Sequence, residues 1–165
     1  MNEERKNGLP IIALLWGAVM IFVMCTSDPR AFLYEGKLSY HIEFAPNFYN
    51  LLIMSDIDLN SSFYLLQKIG HFLSFGFLYY LLVAWMKRPH KAFVLCVLFA
   101  LFTEILQLFF HRSGRLFDVG IDLLGIITAY LICTYINSQR TSDEALERSR
   151  SSGPRDPITE RPSDE

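Results

Sequence analysis

Cysteine is scarce in this chain of 165 residues, with three in all, at positions 25, 96 and 133. They follow no CxxC spacing, and an odd number scattered through apolar runs excludes a disulfide framework. They read as small hydrophobic side chains. A basic stripe with interleaved aromatics is also missing, and the formal net charge is only −2. That balance excludes nucleic acid as a partner. No HExxH or similarly compact ligand motif occurs, so the sequence assigns no metal and no other cofactor. No A-x-A-like cleavage site follows the first apolar run, which therefore reads as a retained span rather than a signal peptide. The "FVM" before Cys25 lacks the small residues that a lipoprotein signal would need.

What is abundant is apolar sequence, 52% of the chain. It falls in long runs separated by short charged stretches, the pattern of a membrane protein. About 20 apolar residues in a helix cross a bilayer, and four runs approach that length: 9–26, 65–86, 92–110 and 118–136. The fold class expected is all-α, a polytopic membrane protein with four transmembrane helices. A soluble bundle would need a polar face on every helix, and "AFVLCVLFALF" has none. Residues 1–8 form a short N-terminal segment and 9–136 the membrane domain. A longer loop, 27–64, includes "NFYNLLIM", a candidate interfacial helix. Residues 137–165, rich in serine, proline, arginine and acidic side chains, are expected to be a disordered tail.

Positive charge near the spans sets orientation. With four spans both termini share a side. Eight cations fall on it: Arg5, Lys6, Lys87, Arg88, Lys91, Arg140, Arg148 and Arg150. Five fall opposite: Arg30, Lys37, Lys68, Arg112 and Arg115. The expectation is a multi-pass protein of the cell membrane with both termini in the cytoplasm and the 27–64 loop outside.

On that topology the ionisable groups gather at one level. Span two begins with Lys68 and His71, span three ends with Glu104 and Gln107, and span four begins with Asp118 and Asp122. Arg112 and Arg115 lie in the turn between the last two. Each pair is three or four residues apart and so shares a helix face. Gly125, seven beyond Asp118, shares that face and lets a neighbouring helix approach. Charges inside a span usually face the bundle interior and pair there. The bland alternatives are register-fixing ion pairs, snorkelling of Lys68 and Arg115, and helix capping by Asp118.

At these residues the chain resembles the VanZ-like family of small bacterial membrane proteins, over most of its length. "QKIGHFLSFGFL" resembles that family's acidic-Lys-x-x-His-Phe pattern, with Lys68, His71 and Phe72 matching and Gln67 replacing the usual Asp. "EILQLFFHRSGRLFDVGIDLLG" resembles its second pattern, with Glu104, Gln107, Arg112, Asp118, Asp122 and Gly125 matching in order. His111 stands where the family has Pro. The resemblance implies the bacterial envelope and, through the family's founder, low-level resistance to the glycopeptide antibiotic teicoplanin. It supplies no molecular activity.

Three functions stay open. An enzyme on a lipid-linked or anionic envelope component would use Glu104, His71 and Asp122 as catalytic candidates. Lys68, Arg112, Gln107 and Asp118 would then bind substrate or anion. A non-catalytic binder would rely on the cations. A structural or partner-binding membrane protein would use the charges as internal ion pairs.

Overall fold

The computed structural model describes residues 3–52, 60–110, 112 and 115–151, and the chain divides into two units, Met1–Ile132 and Cys133–Glu165. Five α-helices order the described residues: α1 (Glu3–Met24), α2 (Pro29–Glu35), α3 (Ser62–Met86), α4 (Pro89–Leu108) and α5 (Leu116–Ser151). No strand occurs among them. α3, α4 and α5 are each long and apolar enough to cross a bilayer. The apolar part of α1, Gly8–Met24, joins α2 across a 107° bend to make a fourth candidate span. That stretch at 1.5 Å per residue reaches about 25 Å, close to the hydrocarbon thickness. The protein is an all-α, multi-pass membrane protein with three such helices, or four with the bent pair.

Local sequence places the boundaries. α1 stops before Asp28, whose carboxylate accepts the Ala31 N–H at 2.9 Å and caps α2. Pro29 opens α2 at a position where no N–H is needed, and Gly36 closes it at φ 67°, the left-handed conformation that glycine takes without strain. The Ser61 hydroxyl accepts the Tyr64 N–H and caps α3. Pro89 starts α4 in the same way that Pro29 starts α2, so α3 and α4 are joined by Lys87 and Arg88 alone.

The long helices of the first unit each bury one stripe and turn large apolar side chains outward. On α1 the stripe is Ala13, Met20 and Met24, while Leu14, Leu15 and Phe22 are exposed. On α4 it is Ala92, Cys96 and Ala100, three small residues at four-residue intervals with no accessible surface. Small side chains let helix backbones approach where there is no water to drive association. Exposed leucine and phenylalanine on this scale would be a liability in water and suit a lipid-facing surface.

α1 is tied to α3 by the Trp16 indole N–H, which donates to the Ser74 carbonyl at 3.2 Å, and by an edge-on contact between Trp16 and Phe77. α3 and α5 approach more closely still. A Cβ on Gly125 would stand 2.2 Å from the Phe72 carbonyl oxygen, and one on Gly76 would stand 3.2 Å from the Gly125 oxygen. At the far end of these helices Tyr130 packs against the rings of Tyr79, His90 and Phe93 at 6.0–6.2 Å. The segment after α2 folds back over the near end. The Glu43 N–H of that segment donates to the Phe109 carbonyl, and Ser27, just before α2, donates to the Phe110 carbonyl.

Two sequence expectations meet a different structure. The interfacial helix at 47–54 is a single 3₁₀ turn, Phe48–Leu52, and its last two residues lie outside the described set. In place of disorder from 137 onward, α5 continues to Ser151. Good helix formers such as Ala145, Leu146 and Glu147 favour that continuation. The hydroxyls of Thr141 and Ser142 bond back to the carbonyls four residues earlier, which keeps them from competing for the helix's own N–H groups. Residues 152–165 lie outside the described set.

Candidate functional site

The buried stripe of each helix changes character along its length. On α4 it runs from Ala92, Cys96 and Ala100 into Thr103, Glu104 and Gln107. On α3 it runs from Leu81 and Leu78 back through Phe75 to His71 and Lys68. On α5 it begins with Asp118 and Asp122 and continues to Ile126. The polar ends meet, so charge is buried where α3, α4 and α5 converge. Lys68, His71, Glu104, Gln107, Arg115, Asp118 and Asp122 all have under a tenth of their surface accessible.

Three pairings organise the site. Lys68 Nζ donates to Asp118 Oδ1 and also lies over the Tyr64 ring, its nitrogen 4.7 Å from the centroid. His71 Nδ1 lies 3.1 Å from Asp122 Oδ1. Glu104 accepts twice, from Gln107 Nε2 at 3.2 Å and from the Arg115 backbone N–H at 2.8 Å. The first two pairs bridge α3 and α5, and the third joins α4 to the residue just before α5. Asp118 lies in the first turn of α5, where the helix dipole also favours a negative charge.

Arg112 stands apart from these pairs. Its guanidinium donates to the Met24 carbonyl at 2.6 Å, at the C-terminal end of α1 where carbonyls lack helical partners. Burial pushes its pKa below the ordinary arginine range, and the nearby Glu104 and Asp118 partly oppose that. It remains a cation at any physiological pH.

Arg112 lines two cavities. One, of about 180 Å³, is walled mainly by apolar side chains of α1, α2 and α3, including Val23, Phe32, Leu33, Phe63 and Leu66, with His71 on the same wall. The other, of about 370 Å³, is more polar and lies between the 43–50 segment and the end of α4, against Glu43, Asn47 and Asn50.

All seven candidate residues read from the sequence therefore lie at this end of the fold, with Arg112 at its edge. Arg115, for which the sequence favours snorkelling over holding an anion, has a buried side chain, and its backbone N–H holds Glu104. The apolar wall of the first cavity was missed as well, because α2 was not foreseen. The Asp28-Pro29 start and the Gly36 stop were its available signals. The expectation of no metal rested on the lack of a compact motif. Folding supplies a different arrangement, in which ligand atoms of His71, Glu104 and Asp122, from three helices, lie within 4.8 Å of one another.

Apolar membrane-crossing helices around a buried set of ionisable groups define a multi-pass membrane protein with a polar site inside its helical bundle. Residues 11–137 match the family described as VanZ/LLP1, and the chain belongs to that family. It is 33% identical over 135 residues to the uncharacterized membrane protein YwnJ of Bacillus subtilis (strain 168), covering 81% of this chain and 94% of that protein. No solved structure matches.

Proposed function

We propose that the protein binds an anionic, lipid-linked component of the bacterial envelope at the charged end of its bundle, on the outer side of the cell membrane. The observation that carries this reading is Arg112, a cation shared by an apolar and a polar cavity. An amphiphile has the matching order: a chain against Phe32, Leu33 and Phe63, an anionic group on the guanidinium, and a polar head beside Asn47 and Asn50. Arginine suits phosphate because its planar fork donates two parallel bonds. The outer orientation rests on the excess of basic residues on the opposite side. Lowered susceptibility to teicoplanin is the cellular effect this reading proposes.

A second reading, catalysis at the same place, is favoured by the His71–Asp122 contact. With Nδ1–H donating to Asp122 Oδ1, Nε2 is the free nitrogen of a ring on the cavity wall. An oriented imidazole is suited to move a proton to or from a bound ester.

Purified protein in nanodiscs containing phosphatidylglycerol and phosphatidylcholine tests the binding reading. Native mass spectrometry should find the anionic lipid retained, and Arg112→Ala should weaken retention about 10- to 100-fold, the worth of a charge-assisted bond. Equal retention by Arg112→Ala would overturn the binding reading. Orientation is tested in cysteine-free protein carrying Ser113→Cys or Pro89→Cys. An impermeant maleimide applied to intact cells should label position 113 and spare position 89, and the reverse would put the site on the cytoplasmic side.

A further inference from the structure

We propose that His71, Glu104 and Asp122 form a binding site for one divalent transition-metal ion, with Zn²⁺ as the reference case. The three side chains come from α3, α4 and α5, and their ligand atoms lie within 4.8 Å of one another. All are buried, with 4%, 1% and 0% of their surface accessible. Two carboxylates brought together away from water require a proton or a cation between them.

An independent observation points to the cation. Asp122 Oδ2 is fully buried and has no hydrogen-bond partner among the described residues. A lone acceptor of that kind is costly unless something binds it. Glu104 is held from both sides by Gln107 and the Arg115 backbone, as ligating carboxylates commonly are.

Spacing agrees. Adjacent ligands about 2.1 Å from a zinc ion stand roughly 3.4 Å apart in a tetrahedron. His71 Nδ1 and Asp122 Oδ1 are 3.1 Å apart, close to that spacing. A cation on Nδ1 takes the place of the ring proton there, and that proton moves to Nε2, the other ring nitrogen, so a neutral imidazole binds without net proton release. Glu104 supplies the third ligand, with a carboxylate oxygen within 4.8 Å of the other two. One imidazole with two carboxylates favours zinc or manganese over the all-oxygen environment that calcium and magnesium take. Three protein ligands leave a coordination position open, the arrangement of catalytic rather than structural sites. The inference stands apart from the lipid reading, since it concerns the ion alone.

The test uses the full chain in detergent, stripped with chelator and titrated with Zn²⁺, with bound metal counted by plasma mass spectrometry. The chain has four histidines. A His41→Ala, His90→Ala, His111→Ala background leaves His71 as the sole imidazole and touches none of the three ligands. That protein should bind one Zn²⁺ per chain at micromolar concentration. It should also give visible d–d bands with Co²⁺. Adding His71→Ala or Asp122→Asn should remove the bands and weaken uptake at least 10-fold, while Glu35→Gln, at an exposed site, should change neither. No uptake by the sole-histidine protein while it still elutes as a folded species would overturn the proposal. Undiminished uptake after His71→Ala would do the same. If the added variants fail to fold, the single-histidine protein decides alone through the perturbed histidine resonances that a bound ion must cause.

Discussion

Gly125→Ala tests whether the close approach of α3 and α5 holds the site together. The substitution adds one methyl group and alters no charge. In the folded protein that carbon would meet the Phe72 carbonyl oxygen at 2.2 Å. A carbon and a carbonyl oxygen rest at about 3.3 Å even in their closest favourable contacts. The neighbour is backbone within a helix, so the helices must part by roughly 1 Å or tilt. Overpacking of this kind costs about 1–3 kcal/mol. At the usual scaling for a chain of this size the melting temperature falls by roughly 2–12 °C. The second consequence is more specific. Asp122 lies one turn before Gly125 on α5, and its contact with His71 is 3.1 Å. Parting by about 1 Å takes that distance beyond hydrogen-bonding range. Asp122→Asn should therefore cost less stability in the Gly125→Ala background than in the parent. Thermal unfolding of the four proteins of this cycle in one detergent measures both effects. A Gly125→Ala melting temperature equal to the parent's, or full additivity of the two substitutions, would refute the reasoning.

Other expectations follow from the same packing. Removing one partner of the buried Lys68–Asp118 pair, as in Lys68→Met, should destabilise by about 3–5 kcal/mol, and adding Asp118→Leu should recover most of it in an unfolding assay. Ala100→Leu, at a position with no accessible surface on α4, should cost about 1–3 kcal/mol by the same measure. In native protein a small maleimide should modify Cys133, the partly exposed cysteine, well before the buried Cys25 and Cys96, with all three reacting alike in dodecyl sulfate.

Where each helix carries its polar residues was legible in the sequence, because membrane spans leave few reasons for a charge. Glu104 and Gln107 share a face, as do Asp118 and Asp122, and the turn joining their helices had to bring them near one another. Which carboxylate meets which cation was not legible. Helical periodicity fixes a direction around one axis, whereas the choice of Asp118 for Lys68 and Asp122 for His71 depends on the rotation of α3 against α5. That rotation is set by the contact at Gly125. His71, Glu104 and Asp122 stood out as candidates in the sequence, but that their ligand atoms come within 4.8 Å was not legible for the same reason: each helix contributes one, so no short motif records it. α2 escaped for another. Its seven residues carry little periodicity, and only the Asp-Pro opening and the glycine stop reveal it.

The pairing of α3 with α5 also has a consequence for how the protein is made. Lys68 and Asp118 are 50 residues apart in the chain, and His71 and Asp122 are 51 apart. At about 5–20 residues per second the ribosome takes roughly 3–10 s to cover that interval. For that time α3 holds its lysine and histidine with neither partner yet synthesised. A lysine at the centre of a span costs about 2.5–3.5 kcal/mol to insert, and placing it near one end of α3 lowers that cost. The charges lie where an unfinished helix can still keep them at the membrane surface, so the arrangement suits the nascent chain as well as the finished site.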